Sequence, residues 1–354
     1  MGSRGGRRRS VIFDQPLAVS DLVLKNRLVM VPMATRKAGA RGQVTQALCD
    51  HYATRARGGY LGLVECGHHF VCEEGRATAG QASIAHDEDI EGLKREAAAV
   101  HDQGTPVFVQ LSHAGSAATE RLTGTQPLAP SAVTCPGAKM GHPLPRAMSA
   151  DDIARVPELF SAAARRARAA GFDGVEIHAA HGYLLDQFLS PLTNLRKDAY
   201  GGSLGNRARL LVEVLRAVRA ELPSGYPVSV RLGGCDYMPG GNTIDDAVAF
   251  ARVAEAAGAS LISVSGGMCY YGRPGHEDTA GWFADSSMPI RAAVGVPVLL
   301  SGGIKTGAAA EALLEQGACD LAGIGRAILN RPAWARRETT KLCAVSAPAK
   351  GTTR

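Results

Sequence analysis

A group of hydrogen-bonding side chains follows an apolar stretch near the middle of the chain. Residues 172–177 (Phe-Asp-Gly-Val-Glu-Ile) carry apolar side chains at Phe172, Val175 and Ile177 and are predicted to form a buried strand of a parallel sheet. His178, His181 and Tyr183 come directly after this stretch. Imidazole and phenol groups are costly to bury unless they face a site, where they can bind an oxygen or transfer a proton. These three residues are therefore predicted to be functional.

Polar residues and glycines also follow other apolar stretches of the chain. If the stretches are parallel strands of a barrel, their C-terminal ends meet at one mouth. The residues at these ends are Pro32 to Ala34, Glu65 and Cys66, Gln110, His178, Arg231, Ser265 and Gly266, Ser301 to Gly303, and Gly325 and Arg326. Glycine N–H groups after the last two strands can bind phosphate, and a guanidinium with an amide can grip an acceptor-rich ring. The set predicts a mononucleotide cofactor.

Each of these residues also has a simpler structural interpretation. The glycine pairs can be tight turns, and Arg231 can be a buried partner of Glu65 or Glu176. His178 and His181 can be structural, or at a spacing of i and i+3 they can present two metal ligands. No His-Glu-x-x-His motif is present, so no metal site is predicted. The functional interpretation depends on all of these residues meeting at one mouth.

A repeated order of apolar strand, polar loop and helix must position these residues. A short hairpin is predicted within Phe13 to Leu24, before the repeats begin. The strands of the repeats are predicted at Leu28–Val31, Leu61–Glu65, Val107–Leu111, Phe172–Ile177, Val228–Leu232, Leu261–Ser265, Val298–Leu300 and Leu321–Ile324. Eight strand–helix units predict an α/β fold, a single (β/α)8 TIM barrel over residues 13–335. A doubly wound open sheet is the alternative, but no Gly-x-Gly-x-x-Gly follows the first strand.

The net charge of +6 is concentrated at the two ends of the chain. Residues 1–12 contain four arginines and residues 336–354 carry five basic residues against one glutamate, so the residues between are slightly acidic. Both ends are predicted to be flexible tails, and nucleic-acid binding is not expected, because it would depend on the terminal arginines alone. No apolar run is long enough to span a membrane, no secretory signal is visible, and the eight cysteines form no Cys-x-x-Cys pair. These features predict a cytoplasmic protein with reduced thiols.

Five motifs resemble those of the Old Yellow Enzyme family of FMN-dependent ene-reductases, also called the NADH:flavin oxidoreductase family. They lie at Val29–Met33, Val109–Gly115, Glu176–Leu185, Asp198–Arg207 and Gly323–Arg326. The pairing of His-x-x-His-Gly-Tyr with Tyr-Gly-Gly-Ser is highly specific, and the resemblance extends from about residue 13 to residue 334. It implies an enzyme, commonly oligomeric, that reduces the C=C bond of α,β-unsaturated carbonyl compounds. FMN would be the cofactor and NAD(P)H the reductant.

The resemblance also implies roles for individual residues. The cofactor-binding residues would be Val31, Pro32, Met33, Ala34 and Cys66 along the flavin, Gln110 and Arg231 at its pyrimidine side, and Gly302, Gly303, Gly325 and Arg326 at the phosphate. His178 and His181 would bind the carbonyl oxygen of the substrate, an oxyanion-hole role. Hydride would come from the flavin N5 and the proton from Tyr183, whose phenol is a suitable acid.

Some positions depart from the family pattern. Ala34 stands where Thr or Cys is usual, which leaves the flavin potential and the substrate preference open. Arg36 replaces a Tyr that lines the pocket in one branch, so the substrate could carry an anionic group there. Tyr271 belongs to a loop, Met268–His276, that is expected to overhang the mouth and contact substrate, although it can equally be plain surface. Larger relatives continue into a Cys-rich cluster and a second nucleotide-binding region, and with Cys343 solitary neither is expected here.

Other functions fit part of the pattern. Within the family, an FMN-dependent dehydrogenase or oxidase would run the reverse desaturation in a biosynthetic or degradative pathway. A barrel lyase or aldolase would need a Schiff-base lysine at a strand end. Lys305 follows the seventh strand, but its neighbours fit phosphate better.

Overall fold

Eight parallel strands close into a barrel in the computed structural model, which describes residues 11–136, 144–273 and 275–345. The strands in chain order are β1 (Leu17–Val19), β2 (Leu22–Leu24), β3 (Leu28–Met30), β4 (Leu63–Phe70), β5 (Val107–Ser112), β6 (Leu128–Ala129), β7 (Arg146–Ala147), β8 (Gly174–Ala179), β9 (Val228–Gly233), β10 (Leu261–Ser265), β11 (Val298–Ser301) and β12 (Leu321–Ile324). The barrel order is β3-β4-β5-β8-β9-β10-β11-β12, and β12 pairs with β3. The predicted (β/α)8 barrel is confirmed.

Helices alternate with the barrel strands. They are α1 (Gln46–Ala56), α2 (Ile90–His101), α3 (Glu120–Thr123), α4 (Ala150–Ala169), α5 (Leu184–Leu189), α6 (Leu204–Glu221), α7 (Ile244–Ala256), α8 (Ala284–Ala293), α9 (Gly307–Glu315), α10 (Arg326–Asn330) and α11 (Trp334–Val345). The long helix α4 begins after the N-cap residue Ser149, whose side chain accepts from the Asp152 N–H while the Asp152 side chain accepts from the Ser149 N–H. Within the described ranges, no helix combines the length and apolarity that crossing a bilayer requires.

The predicted hairpin is formed by β1 and β2, and it closes the N-terminal end of the barrel. Its Val19 and Leu24 are fully buried. They belong to one apolar cluster with inward-facing barrel residues, including Leu63, Phe108 and Leu299. The Phe108 ring packs over Gly174, its partner on β8, where an added Cβ would lie 2.4 Å from the ring. This end of the barrel is therefore a packed plug, and the open end is the C-terminal one.

Two predicted boundaries are wrong. The tail expected from residue 336 begins inside α11, because this helix packs on the start of α9 and the Gly307 N–H donates to Glu338 Oε2 at 3.1 Å. The strand expected to end at Glu65 continues to Phe70, through a register shift between Cys66 and His69. All of the residues in β4 are buried, and the polar side chains of His68 and His69 hid this continuation from an apolar pattern. Of the predicted tails, 1–12 and 336–354, residues 1–10 and 346–354 lie outside the described residues. At the end of the first tail, the Ile12 N–H donates to Glu311 Oε1 at 2.6 Å.

Candidate functional site

The open end of the barrel brings together side chains from five strands. Gln110 of β5 donates from Nε2 to Glu176 Oε1 of β8 at 2.7 Å. Arg231 of β9 donates from Nη2 to Ser301 Oγ of β11 at 2.9 Å. The first contact joins register partners on adjacent strands, and the second spans β10. The sequence expectation that Gln110 and Arg231 lie at one mouth with His178 therefore agrees with the geometry, since His178 is the register partner of Arg231.

His178 and His181 present facing nitrogens at this mouth. His178 Nε2 lies 3.3 Å from His181 Nδ1, and the two rings are nearly perpendicular at 83°. His178 stands near the end of β8, where the Ala180 N–H donates to its Nδ1 at 3.3 Å. His181 Nε2 lies 2.7 Å from Ser265 Oγ at the end of β10. His178 Nδ1 and His181 Nε2 are thus held by neighbouring residues, while His178 Nε2 and His181 Nδ1 face each other.

Both imidazoles are held in their neutral form. Burial lowers the pKa of His178 well below its usual value. Repulsion from the positive charges of His181, His68 and Arg231 lowers this pKa further. Burial followed by the Arg231 charge has the same effect on the pKa of His181. Within the described residues, no group of three or more His, Cys, Asp or Glu side chains could hold a metal.

Tyr183 is fixed by a turn whose backbone is hydrogen-bonded on both sides. His181 and Gly182 have positive φ angles of 59° and 67°. The Gly182 N–H donates to buried Asp186 at 2.8 Å, and Gln187 donates from Nε2 to the Gly182 oxygen at 2.6 Å. The phenol ring therefore lies beside His178, with ring centroids 4.8 Å apart. Burial raises the pKa of Tyr183, so its hydroxyl keeps its proton.

Arg231 carries donors that no described residue satisfies. Its side chain is 4% exposed, yet Nε and Nη1 have no hydrogen-bond partner. The expected alternative of a buried ion pair is met only loosely, because Nη1 lies 3.9 Å from Glu176 Oε1. An unsatisfied buried guanidinium nitrogen is costly. An acceptor-rich ligand at the mouth would satisfy it.

The glycines after β11 and β12 form the opposite side of the mouth. Gly302 and Gly303 have φ angles of 124° and 68°, and a Cβ on Gly303 would lie 2.5 Å from Trp282 Nε1. Trp282 Nε1 is itself buried and has no hydrogen-bond partner in the part of the chain that the structure describes. The Arg326 guanidinium lies 4.7 Å from the Trp282 ring centroid, and Gly325 precedes α10. Bare backbone, an exposed guanidinium and an orphaned indole N–H fit an anionic group such as a phosphate.

The residues that follow β3 border the same mouth. Val31 and Met33 lie near Gly325, whose added Cβ would be 3.6 Å from Val31 Cγ2 and 3.8 Å from Met33 Sδ. Pro32 packs so closely on Gly67 that a Cβ there would lie 2.5 Å from Pro32 Cβ. Ala34 is exposed and lines a pocket with Arg36.

Cys66 does not present its thiol to the mouth. The Cys66 side chain is fully buried, and its pKa is raised by burial and by Glu96 of α2, which lies outside the barrel wall. Strand alternation explains this, since neighbouring Glu65 faces Glu176 and Arg231 inside the barrel. The expectation that Cys66 lines a flavin can therefore hold for its backbone only.

His68 is a site residue that the sequence analysis missed. Its ring lies 5.4 Å from Tyr183 and 6.4 Å from His178 between centroids. The Gln81 amide lies 2.8 Å from its Nδ1. Burial lowers the pKa of His68 to about 4, with a smaller contribution from His69. The adjacent histidines His68 and His69 could have indicated a site, but they follow Glu65, where the strand was predicted to end.

Tyr271, which belongs to the loop expected to overhang the mouth, lies beside His181. Its side chain is 65% exposed, and its ring centroid is 6.1 Å from that of His181. Residue 274 of this loop lies outside the described residues. Ser265, Ser301 and Trp282, which contact predicted site residues, were assigned no role from the sequence because Ser and Trp carry no distinctive spacing here.

The residues at the mouth fit a flavin mononucleotide. Arg231 offers two unpartnered donors, and Gln110, whose Nε2 already donates to Glu176, has its amide oxygen left to accept from a ring N–H. The Gly302–Gly303 turn with Trp282 and Arg326 suits a phosphate. These two groups match the two ends of the cofactor.

Comparison with known proteins identifies related sequences. A family model described as the NADH:flavin oxidoreductase / NADH oxidase family matches residues 12–343. The NADPH dehydrogenase of Geobacillus thermodenitrificans is 37% identical over 330 residues, which cover 92% of each chain. The NADH oxidase of Thermoanaerobacter brockii is 37% identical over 325 residues, covering 90% of this chain and 49% of that protein. A metal reductase of Desulforamulus reducens is 38% identical and is covered to 48%. The chain thus spans about half the length of these last two relatives.

Solved structures show the same architecture. An Old Yellow Enzyme homologue from Zymomonas mobilis superposes with a TM-score of 0.81 at 29% identity, covering 94% of this chain and 93% of that one. A complex of 2-naphthoyl-CoA reductase with 2-naphthoyl-CoA superposes with a TM-score of 0.87 at 26% identity. This second superposition covers 94% of this chain and 52% of the reductase.

Proposed function

We propose that this chain, which belongs to the NADH:flavin oxidoreductase / NADH oxidase family, is an FMN-dependent reductase of α,β-unsaturated carbonyl compounds. The predicted resemblance to the Old Yellow Enzyme family is confirmed, and so is the broader class of flavin-linked NAD(P)H oxidoreductase. What is proposed here is the reaction at an activated C=C bond. One observation supports it above the others: two facing imidazole nitrogens beside a protonated phenol.

The histidine pair can donate two hydrogen bonds to one oxygen. Because His178 Nδ1 accepts from the Ala180 N–H, the neutral ring carries its proton on Nε2, which faces His181. A carbonyl oxygen between the rings would accept this Nε2–H. It would accept a second bond from His181 when the proton of that ring is on Nδ1. The Ser265 hydroxyl can then donate to His181 Nε2 and support this tautomer.

This arrangement would stabilise charge on the substrate. Two fixed donors in a buried site stabilise the negative charge that develops on a carbonyl oxygen during addition to its conjugated alkene. Since both rings stay neutral, they donate without transferring their protons. Tyr183, whose pKa is raised by burial, keeps the proton that the α-carbon of the alkene requires.

The cofactor would be held by Arg231, Gln110 and the Gly302–Gly303 turn. FMN in this place, reduced by NAD(P)H, would supply the hydride for the β-carbon, so that one NAD(P)H and one proton are consumed for each C=C bond reduced. Arg231 would place a positive charge and two donors at the acceptor-rich edge of the ring. Trp282 and Arg326 would bind its phosphate.

Absorbance spectroscopy of the purified protein tests the proposal. The preparation should be yellow, and the flavin band should bleach under NADH or NADPH without oxygen. Addition of 2-cyclohexenone should restore the band and yield cyclohexanone, whereas 2-cyclohexenol, which lacks the carbonyl, should restore it far more slowly. A preparation that takes up no FMN, or a bleached flavin that no activated alkene reoxidises, would contradict the proposal. Bleaching by a saturated ketone without NAD(P)H would instead support the reverse desaturation.

A further inference from the structure

A cleft with two arginines opens beside the candidate active site. Its volume is about 460 Å³, within the range of small-molecule sites. Arg36 and Arg121 line it together with Thr78, Thr119 and the apolar side chain of Leu122. Both arginines are exposed. The cleft therefore combines positive charge, hydroxyl groups and apolar surface.

This cleft adjoins a smaller, inner pocket beside His68. Arg36 and Thr78 line both spaces, and the inner pocket is also bordered by His68 and Gly67. The His68 ring lies 5.4 Å from the Tyr183 ring between centroids, so the inner pocket leads toward the phenol. A ligand could therefore extend from Tyr183 past Arg36 to Arg121.

The loop that carries Arg36 is held in place by its packing. Arg36 has a φ angle of 54°, a left-handed conformation that is costly for a residue with a side chain. Gly80 lies against it so closely that an added Cβ would be 2.6 Å from the Arg36 oxygen. The Ala38 N–H also donates to the Gly80 oxygen at 3.0 Å. The position of Arg36 is thus set by two interlocked loops.

The charges of the two arginines are not neutralised by neighbouring residues. Among residues 11–136, 144–273 and 275–345, neither Arg36 nor Arg121 has a carboxylate within 4.0 Å. Glu120 is adjacent to Arg121 in sequence and exposed, but it forms no ion pair with either arginine. Guanidinium groups bind carboxylate and phosphate oxygens through paired donors.

We propose that this cleft binds an anionic group, a carboxylate or a phosphate, at the far end of the alkene substrate. The inference rests on the proposed function, because it takes the reacting alkene to lie beside Tyr183. The substrate class is then an α,β-unsaturated carbonyl compound with a chain that ends in a negative charge. Arg36 and Arg121 are its specificity-determining residues, and the apolar surface between them accommodates the chain.

A series of matched substrates tests the inference in the FMN-loaded enzyme. Cyclohexenones that carry side chains of two to six methylenes would end either in a carboxylate or in its methyl ester. At one or more lengths, kcat/KM for the carboxylate should exceed that for the ester by about tenfold, the scale of a charge-assisted contact. Arg121→Gln should reduce this ratio toward one, and 0.5 M NaCl should weaken it. Arg216→Gln, on the outer helix α6, should leave the ratio unchanged.

The outcomes separate this inference from the proposed function. Crotonyl-coenzyme A is the phosphate-bearing substrate of the test. If Arg121→Gln slows turnover of this thioester while carboxylates and esters are reduced equally well, the anion that the cleft binds is a phosphate. If the methyl esters are reduced but the ratio stays near one at every chain length and crotonyl-coenzyme A shows no arginine dependence, the anionic subsite is refuted while the ene-reductase stands. If no ester or cyclohexenone is reduced, the proposed function itself fails. Flavin content and Tm of each variant verify that it is folded.

Discussion

The two ends of the barrel interior differ in chemistry although the same strands form both. Inward-facing positions on a strand recur every second residue. On β5 this step leads from Phe108 to Gln110, and on β11 from Leu299 to Ser301. On both strands, a step of two residues therefore leads from the apolar plug to the polar mouth.

The difference shows which end stabilises the fold and which end is left for a ligand. The apolar plug is closed by the β1–β2 hairpin and its side chains are fully buried. Above it, Arg231 Nε and Nη1 and both Glu65 carboxylate oxygens are buried with no hydrogen-bond partner among the described residues. Burial, with the charge of Glu176, raises the pKa of Glu65 well above its usual value, so this carboxyl is protonated. Such incomplete polar groups are expected where a bound molecule completes the structure.

The largest expected effect comes from changing the mouth at Tyr183. Tyr183→Phe removes the proton donor but keeps the ring beside His178, so alkene reduction should fall by about 10²–10⁴-fold. Flavin reduction by NAD(P)H and Tm should change little, because no hydrogen bond joins this hydroxyl to another of the described residues. Stopped-flow measurement of the two half-reactions makes the comparison. Equal slowing of both half-reactions would mean that the substitution disturbs the cofactor instead.

The next effect comes from the opposite end. Phe108→Ala should lower the free energy of unfolding by about 3–5 kcal/mol, because it leaves a cavity over Gly174. The kcat of the folded fraction should stay close to that of the unchanged protein. Urea unfolding and turnover per bound flavin are the measurements, with Phe108→Leu as a milder control. A large loss of kcat without loss of stability would show that the two ends are not independent.

The sequence predicted the barrel and much of its mouth because both depend on local patterns. Apolar runs marked the strands, and the strand ends placed His178 and Arg231 at one site, as the register of β8 and β9 now shows. Gln110 and the Gly302–Gly303 turn were placed in the same way.

What the sequence could not predict depends on contacts between distant residues. His68 was missed because the strand β4 continues through a register shift, which an apolar pattern does not reveal. The outward direction of the Cys66 thiol follows from its packing toward Glu96 of α2. The helix α11 was missed because it is ordered by contacts with α9, such as the hydrogen bond between Gly307 and Glu338, which are 31 residues apart. Each of these features depends on residues that are distant in sequence and meet only in the folded barrel.

A smaller effect should distinguish the two ends by pH. Near the mouth, burial lowers the pKa values of His68 and His113 to about 4, against about 6.5 in the unfolded chain. The unfolded state then binds more protons between these values. Stability should be fully present above pH 6.5 and fall as the pH drops toward 4, by on the order of 1–2 kcal/mol for each histidine by pH 5.

Unfolding curves of single variants measure this pH dependence. His113→Gln should flatten the fall in stability between pH 6.5 and 4, and Phe108→Leu, at the apolar end, should shift the whole curve without changing its slope. A slope that is identical in the His113→Gln variant would show that this histidine does not titrate as its burial predicts.

The smallest expected effect tests how the two facing histidines are oriented. Ser265→Ala removes the hydroxyl that lies 2.7 Å from His181 Nε2, so the ring loses the partner that supports a proton on Nδ1. Alkene reduction should slow by about three- to tenfold, and flavin reduction and Tm should be unchanged. Ser265→Thr, which keeps a hydroxyl, should recover part of the rate. Nitrogen chemical shifts of His181 report its tautomer directly. If the tautomer and the rate both stay the same in Ser265→Ala, the orientation of His181 is set by His178 and the Gly266 backbone, and the oxyanion site at the mouth forms without help from β10.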